Sequence, residues 1–222
     1  MNDLEKYFYS NKGKLIHKWL HYFEIYDRHF SKFRKKEIKI LEFGVSHGGS
    51  LQMWKKYFGR RAKIYGVDIN PECKKLEEKN VKIYILDQED RSQLKKLMKE
   101  IGEVDIIIED GGHQMKQQIN TFEETFHYVK NGGVFLIEDL HTSYWSRYNA
   151  GLNMPGTFIE YAKKIIDDLN AWHTEDGSVL KPNQNTKTIT GMHVYDSIIV
   201  FDKGKVIKPS HKMTGVRTIE DK

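Results

Sequence analysis

Cysteine occurs once in 222 residues and proline four times. A lone thiol, Cys73, cannot close a disulfide within the chain, which excludes a stapled secreted scaffold and fits a reducing, cytoplasmic setting. No stretch approaches the roughly 18 uninterrupted apolar residues of a membrane span, and the start MNDLEKYFYS lacks the apolar segment of a signal peptide. A soluble chain without a membrane partner is expected. Long blocks of one charge are missing too. The net charge is +5, but lysines alternate with glutamates in KKLEEKN and KKLMKE, as on solvated helix faces. The one dense basic run, SKFRKK, is short and stands alone, so no nucleic-acid partner is expected.

What is present is alternation of apolar runs. Leu15, Trp19, Tyr22, Phe23, Tyr26 and Phe30 recur at spacings of three and four, which predicts an amphipathic helix over 15–30. Its aromatic stripe would serve as core or as a homo-oligomer contact. From 38 onward, five runs suit buried parallel strands: 38–43, 63–67, 82–86, 104–109 and 133–138. Helical segments start near Ser50, Pro71, Asp90 and Met115, another covers 157–172, and two final strands meet near Asp196. The expected fold is α/β: a Rossmann-like, doubly wound, mostly parallel seven-stranded sheet with an antiparallel C-terminal strand. Residues 1–37 would form a helical extension and 38–222 the main domain. The aperiodic stretch HTSYWSRYNAGLNMPG, after Asp139, reads as a lid whose Tyr144, Trp145, Arg147 and Tyr148 suit a sugar face.

The first strand runs into EFGVSHGGS. Gly44, Gly48 and Gly49 let backbone pass close to a ligand, and Ser50 can cap the next helix. Ser46 stands where a dinucleotide fold carries the glycine that admits a pyrophosphate, which disfavours NAD. Asp68, at the end of strand two, is placed to accept ribose hydroxyls, and Asp87 and Gln88 end strand three over an adenine position. Adenosine without a pyrophosphate fits this set. The three motifs in order resemble the class I S-adenosylmethionine methyltransferases. That resemblance implies Glu42, Gly44 and Ser46 around the methionine end of the cofactor and Asp68 on its ribose. With Gly48, Ser50, Asp87, Gln88 and Asp110, these complete the expected cofactor set.

Strands four and five end in IIIEDGGHQ and FLIEDLH. Asp110, Glu138 and Asp139 would converge at one crevice, where three carboxylates repel unless a cation neutralises them. A hard ion such as Mg²⁺, or Mn²⁺ in its place, prefers such oxygen ligands, so these three are the expected metal ligands. A metal would stabilise the alkoxide of an acceptor hydroxyl. Imidazole is the side-chain type that titrates near neutral pH, which suits His113 as general base. EDGGHQMKQQINTFEETF with VKNGGVFLIEDLHTSYW, and the closing GMHVYDSIIVFDK, resemble the metal-dependent sugar O-methyltransferases of macrolide biosynthesis, with cephalosporin hydroxylase-like proteins sharing much of the pattern. The resemblance implies the same metal ligands and the same base. Catechol-type enzymes carry lysine at the base position, so catechols are not expected. The opening 37 residues offer only helical material where macrolide-type enzymes carry a further domain. The expected acceptor is therefore a sugar, sugar nucleotide or glycan rather than a macrolide. A hydroxylase-like enzyme and a non-catalytic adenosyl-ligand binder remain the alternatives.

Overall fold

The computed structural model describes residues 1–219. Seven strands form one sheet: β1 (Lys39–Phe43), β2 (Lys63–Asp68), β3 (Val81–Ile85), β4 (Val104–Glu109), β5 (Val129–Ile137), β6 (Ile189–Tyr195) and β7 (Ile198–Lys203). Their order is β3-β2-β1-β4-β5-β7-β6, with β7 antiparallel to both neighbours. The chain reverses direction across the sheet between β1 and β4, so their carboxyl ends open a crevice, where doubly wound sheets bind ligands.

The strands are near-continuous apolar runs because both faces are covered. Alternate residues serve opposite sides. Ile40, Ile106, Ile108, Val134 and Leu136 pack toward α1 (Asp3–Tyr9), α2 (Tyr22–Phe30) and α3 (Gly49–Phe58). Leu41, Phe43, Ile107, Phe135 and Ile137 pack toward α4 (Arg91–Ile101), α5 (Met115–Thr125) and α6 (Phe158–Asn170). A short α7 (Gln184–Thr188) leads into β6. The helix starts follow local chemistry: the Asp90 carboxylate accepts from the backbone N–H of Ser92, and the Thr157 hydroxyl accepts from that of Glu160. After Pro71 the expected helix is a 3₁₀ segment, Pro71–Leu76. No helix among the described residues is long and apolar enough to cross a membrane.

The expected helix over 15–30 is half right. Helix α2 begins only at Tyr22, and 11–21 form a non-helical strap. Leu15 and Trp19 fit the helical spacing by coincidence, being 63% and 51% exposed. Tertiary contacts override propensity here: the Leu15 carbonyl lies so close to Gly49 that a Cβ there would stand 2.2 Å from it. Tyr22, Phe23, Tyr26 and Phe30 are fully buried. Tyr26 and Phe30 meet the Trp54 ring at 5.2 and 5.9 Å. Of the stripe expected to serve as core or as a homo-oligomer contact, these four residues are core, and Leu15 and Trp19 stay exposed.

On the far side of α2, the ring nitrogen Nε2 of His29 lies 2.9 Å from the Tyr195 hydroxyl, and its ring packs 4.7 Å from that of His193. Burial, with the adjacent His193, pushes the His29 imidazole from 6.5 down to about 4. The unfolded chain thus takes up a proton near 6.5 and the folded one only near 4, so the fold loses stability as pH falls through that window. In H29Q the decline in melting temperature over this range is expected to be shallower. A difference between the two proteins that stays constant with pH would rule out the assignment.

Candidate active site

At the carboxyl ends of β1 to β4 lies a cavity of about 390 Å³. Its walls include Gly44, Ser46, Ser50, Asp68, Asp87 and Gln88 on one side and Asp110, His113 and Asp139 on the other. The strap supplies a further wall, Leu15 to Lys18.

The loop after β1 is built around close approaches. Gly44 has φ +91°, and a Cβ there would sit 1.8 Å from the Asp110 carbonyl oxygen, so only glycine lets β1 and β4 end side by side. The Asp68 carboxylate accepts from the backbone N–H groups of Val45 and Ser46, both at 2.9 Å, and of Asn70 at 2.9 Å. Partial burial alone would raise its pKa; these three bonds outweigh that and hold it below the usual value. Asp68 thus presents a charged carboxylate at the loop rim. Glu42 lies beneath the loop, fully buried and outside the cavity lining. Its two oxygens accept from Ser50 Oγ and Trp54 Nε1, both at 2.9 Å. Burial pushes its pKa up to about 7. Gln88 donates through Nε2 to Glu109 at 2.8 Å and to Thr121 at 3.1 Å. Asp87 caps its own turn by accepting from the Glu89 N–H at 2.8 Å.

The acidic corner is assembled from β4, β5 and the N-terminal segment. Ligand atoms of Asp110, His113 and Asp139 lie within 4.8 Å of one another. His113 Nε2 is 3.3 Å from Asp139 Oδ2. Glu138 sits directly behind, fully buried, and its Oε2 accepts from Lys18 Nζ and Tyr26 OH, both at 2.8 Å. Lys18 Nζ also contacts Asp110 Oδ2. Tyr22 OH donates to Asp139 Oδ1 at 2.7 Å. His113 and Asp139 both occupy left-handed backbone, with φ +55° and +58°. Such strain costs of order 1–3 kcal/mol per residue and persists where surrounding contacts over-determine the loop.

Two observations test whether this corner suits a divalent cation. The first is charge: Asp110 and Glu138 share one buried ammonium, which leaves one negative charge between them, and Asp139 adds another beside His113. Burial and the like charge of the neighbouring carboxylates raise the Asp110 and Glu138 pKa values. The second is an orphan: Glu138 Oε1 is buried without any hydrogen-bond partner. Buried acceptors are rarely left so, and an oxygen-preferring ion would satisfy it. The residues fit. Lys18 itself is no base: burial favours its neutral form, but Asp110, Glu138 and Glu42 outweigh this and raise its pKa.

Sequence reasoning expected the ends of β4 and β5 together, and Asp110, His113 and Asp139 do meet; it missed Lys18, Tyr22, Tyr26 and Glu109. The only local hint was a lysine inside the apolar run LIHKWL and two tyrosines one helical turn apart.

The strand order, the glycine loop after β1 and the acid ending β2 are those of the class I methyltransferase fold. Residues 41–140 match the family described as a methyltransferase domain. Demethylmacrocin O-methyltransferase of Streptomyces fradiae is 35% identical over 204 residues, covering 86% of this chain and 51% of that protein. The 8-demethyl-8-alpha-L-rhamnosyl tetracenomycin-C 2'-O-methyltransferase of Streptomyces olivaceus is 34% identical over 192 residues, 82% of this chain and 50% of that protein. Among solved structures, the MycE methyltransferase from the mycinamycin biosynthetic pathway, in complex with Mg and SAH, superposes with a TM-score of 0.80. It shares 31% identity and covers 91% of this chain and 54% of its own. The resemblance to macrolide-sugar O-methyltransferases therefore holds, and the chain spans about half the length of the curated relatives it matches.

Proposed function

We propose that the chain transfers the methyl group of S-adenosylmethionine to a hydroxyl of a sugar-bearing small molecule, using a divalent cation and His113 as general base. The observation that carries this is the cluster of Asp110, His113 and Asp139 at the wall of a cavity whose other side is the Asp68 loop, with the buried, unsatisfied Glu138 Oε1 behind them. Asp68 would hold the ribose and Asp87 with Gln88 the adenine end. The Gly44–Ser46 turn, Asp110 and the Gly48–Ser50 helix start would border the methionine end. Glu42 would act through Ser50, from below.

Bound S-adenosylmethionine supplies an electrophilic methyl. Mg²⁺, or Mn²⁺, held by Asp110, Glu138 and Asp139 would act as a Lewis acid toward the acceptor oxygen. The protein's own part is to orient and to move a proton. Asp139 Oδ2 lies 3.3 Å from His113 Nε2, Tyr22 donates to Asp139, and His113 would take the proton that the acceptor hydroxyl gives up.

The acceptor reading rests on an aromatic cluster formed by the strap and the segment after Asp139. The Trp19 and His141 ring centroids lie 5.6 Å apart, His141 and Trp145 4.5 Å apart, and Arg147 covers Trp145 at 4.2 Å. Aromatic faces of this kind suit the C–H face of a sugar ring. One relative's name carries a rhamnosyl acceptor. Transfer of labelled methyl to a panel of glycosides, sugar nucleotides and glycans, with and without Mg²⁺, tests the proposal. Titration that finds tight NAD binding and no S-adenosylmethionine binding would defeat it.

A further inference from the structure

Lys18 is buried, charged and without a part in the proton transfer. We propose that it is a positioning residue for the divalent cation, gripping Asp110 and Glu138 by one oxygen each so that their other oxygens are presented to the ion. This rests on the reading that Asp110, Glu138 and Asp139 hold such an ion.

The hydrogen bonding is lopsided in the way the proposal requires. Lys18 Nζ and Tyr26 OH both donate to Glu138 Oε2, each at 2.8 Å, and Oε1 receives nothing. On Asp110 the ammonium likewise takes Oδ2. The Lys18 side chain is 3% exposed, and a buried ammonium is tolerated only when fully engaged.

Lys18 is not what holds the strap in place. The Asn11 side chain donates to the Lys14 carbonyl at 2.8 Å, and the Lys14 N–H donates to Gln52 Oε1 at 3.2 Å. Leu15 lies against Gly49, and Ile16 is buried in the core. Leu15 and Ile16 wall the cavity beside Gly49 of the glycine loop, whereas the Lys18 side chain reaches away to Asp110 and Glu138. Loss of the lysine should therefore separate two properties that a general loosening would damage together.

Manganese binding, followed by electron paramagnetic resonance, and S-adenosylhomocysteine binding, followed by calorimetry, are to be measured on wild type, K18M and K18R. Partners that orient metal ligands contribute about 10- to 100-fold in affinity, so K18M should lose about that much Mn²⁺ affinity. K18R keeps the charge and should recover most of the loss, and S-adenosylhomocysteine affinity without metal should move by less than about threefold in both. Unchanged or tighter Mn²⁺ binding in K18M would overturn the proposal, the second by showing that the ammonium competes with the ion. Parallel loss of both ligands, or an equal loss in K18R, would overturn it in favour of a packing role. Wild type that binds S-adenosylhomocysteine but no Mn²⁺ would instead sink the cation reading itself.

Discussion

Asp139→Asn, or exhaustive chelation of the wild type, is expected to lower methyl transfer by about three orders of magnitude, since Lewis-acid stabilisation is worth several kcal/mol and each 1.36 kcal/mol is tenfold. Asparagine is a demanding test because it disturbs little else. It tolerates left-handed backbone better than any residue but glycine, so the φ of +58° at this position is kept. Its amide oxygen can still accept from Tyr22 OH, which now donates to Asp139 Oδ1. What disappears is one negative charge and one hard oxygen. S-adenosylhomocysteine binding should be nearly unchanged, because Asp68 and the glycine loop are built from other strands. Initial rates of labelled methyl transfer, with Mg²⁺ added back after chelation, check the result. Full activity in chelator would remove the cation from the reaction.

Much of this corner was legible in the sequence because strand ends are a local signal. An apolar run fixes where a buried parallel strand stops, and the residues just past it must face the crevice. That reasoning expected Gly44, Asp68, Asp110, Glu138 and Asp139 at one crevice; four of them line one cavity, and Glu138 is buried outside its lining. It also gave seven strands with one antiparallel member, since the last two runs lie too close in sequence for a parallel crossover. What it could not supply were partners set by chain reversal. Lys18 meets Glu138 across 120 residues, and Tyr22 meets Asp139 across 117. Nothing in the spacing of LIHKWL distinguishes a strap from a first helical turn. Glu42 was misplaced for a related reason. Position in a glycine motif says that a side chain is near a ligand loop, but alternation along β1 sends this one inward, to Ser50 and Trp54.

The imidazole of His113 admits two roles, and one variant separates them. Its ligand atom lies within 4.8 Å of those of Asp110 and Asp139, which is also where a metal ligand would stand. Mg²⁺ is a hard ion that favours oxygen, and Glu138 has an unpaired oxygen, so the proposed reading assigns the imidazole to the proton. His113→Ala is therefore expected to slow the single-turnover methyl transfer by about 10²- to 10⁴-fold, the usual contribution of a general base. Mn²⁺ affinity should be nearly unchanged in the same protein. The rate that remains should rise with hydroxide concentration, because an acceptor hydroxyl without a local base depends on solvent to take its proton. If His113 were a ligand instead, Mn²⁺ affinity and rate would fall together, and excess metal would restore the rate. An unchanged single-turnover rate would exclude both roles. The backbone at 113 sharpens the comparison, since alanine at φ +55° is strained. His113→Asn, which suits that conformation and offers no base, should show the same kinetic loss without the strain.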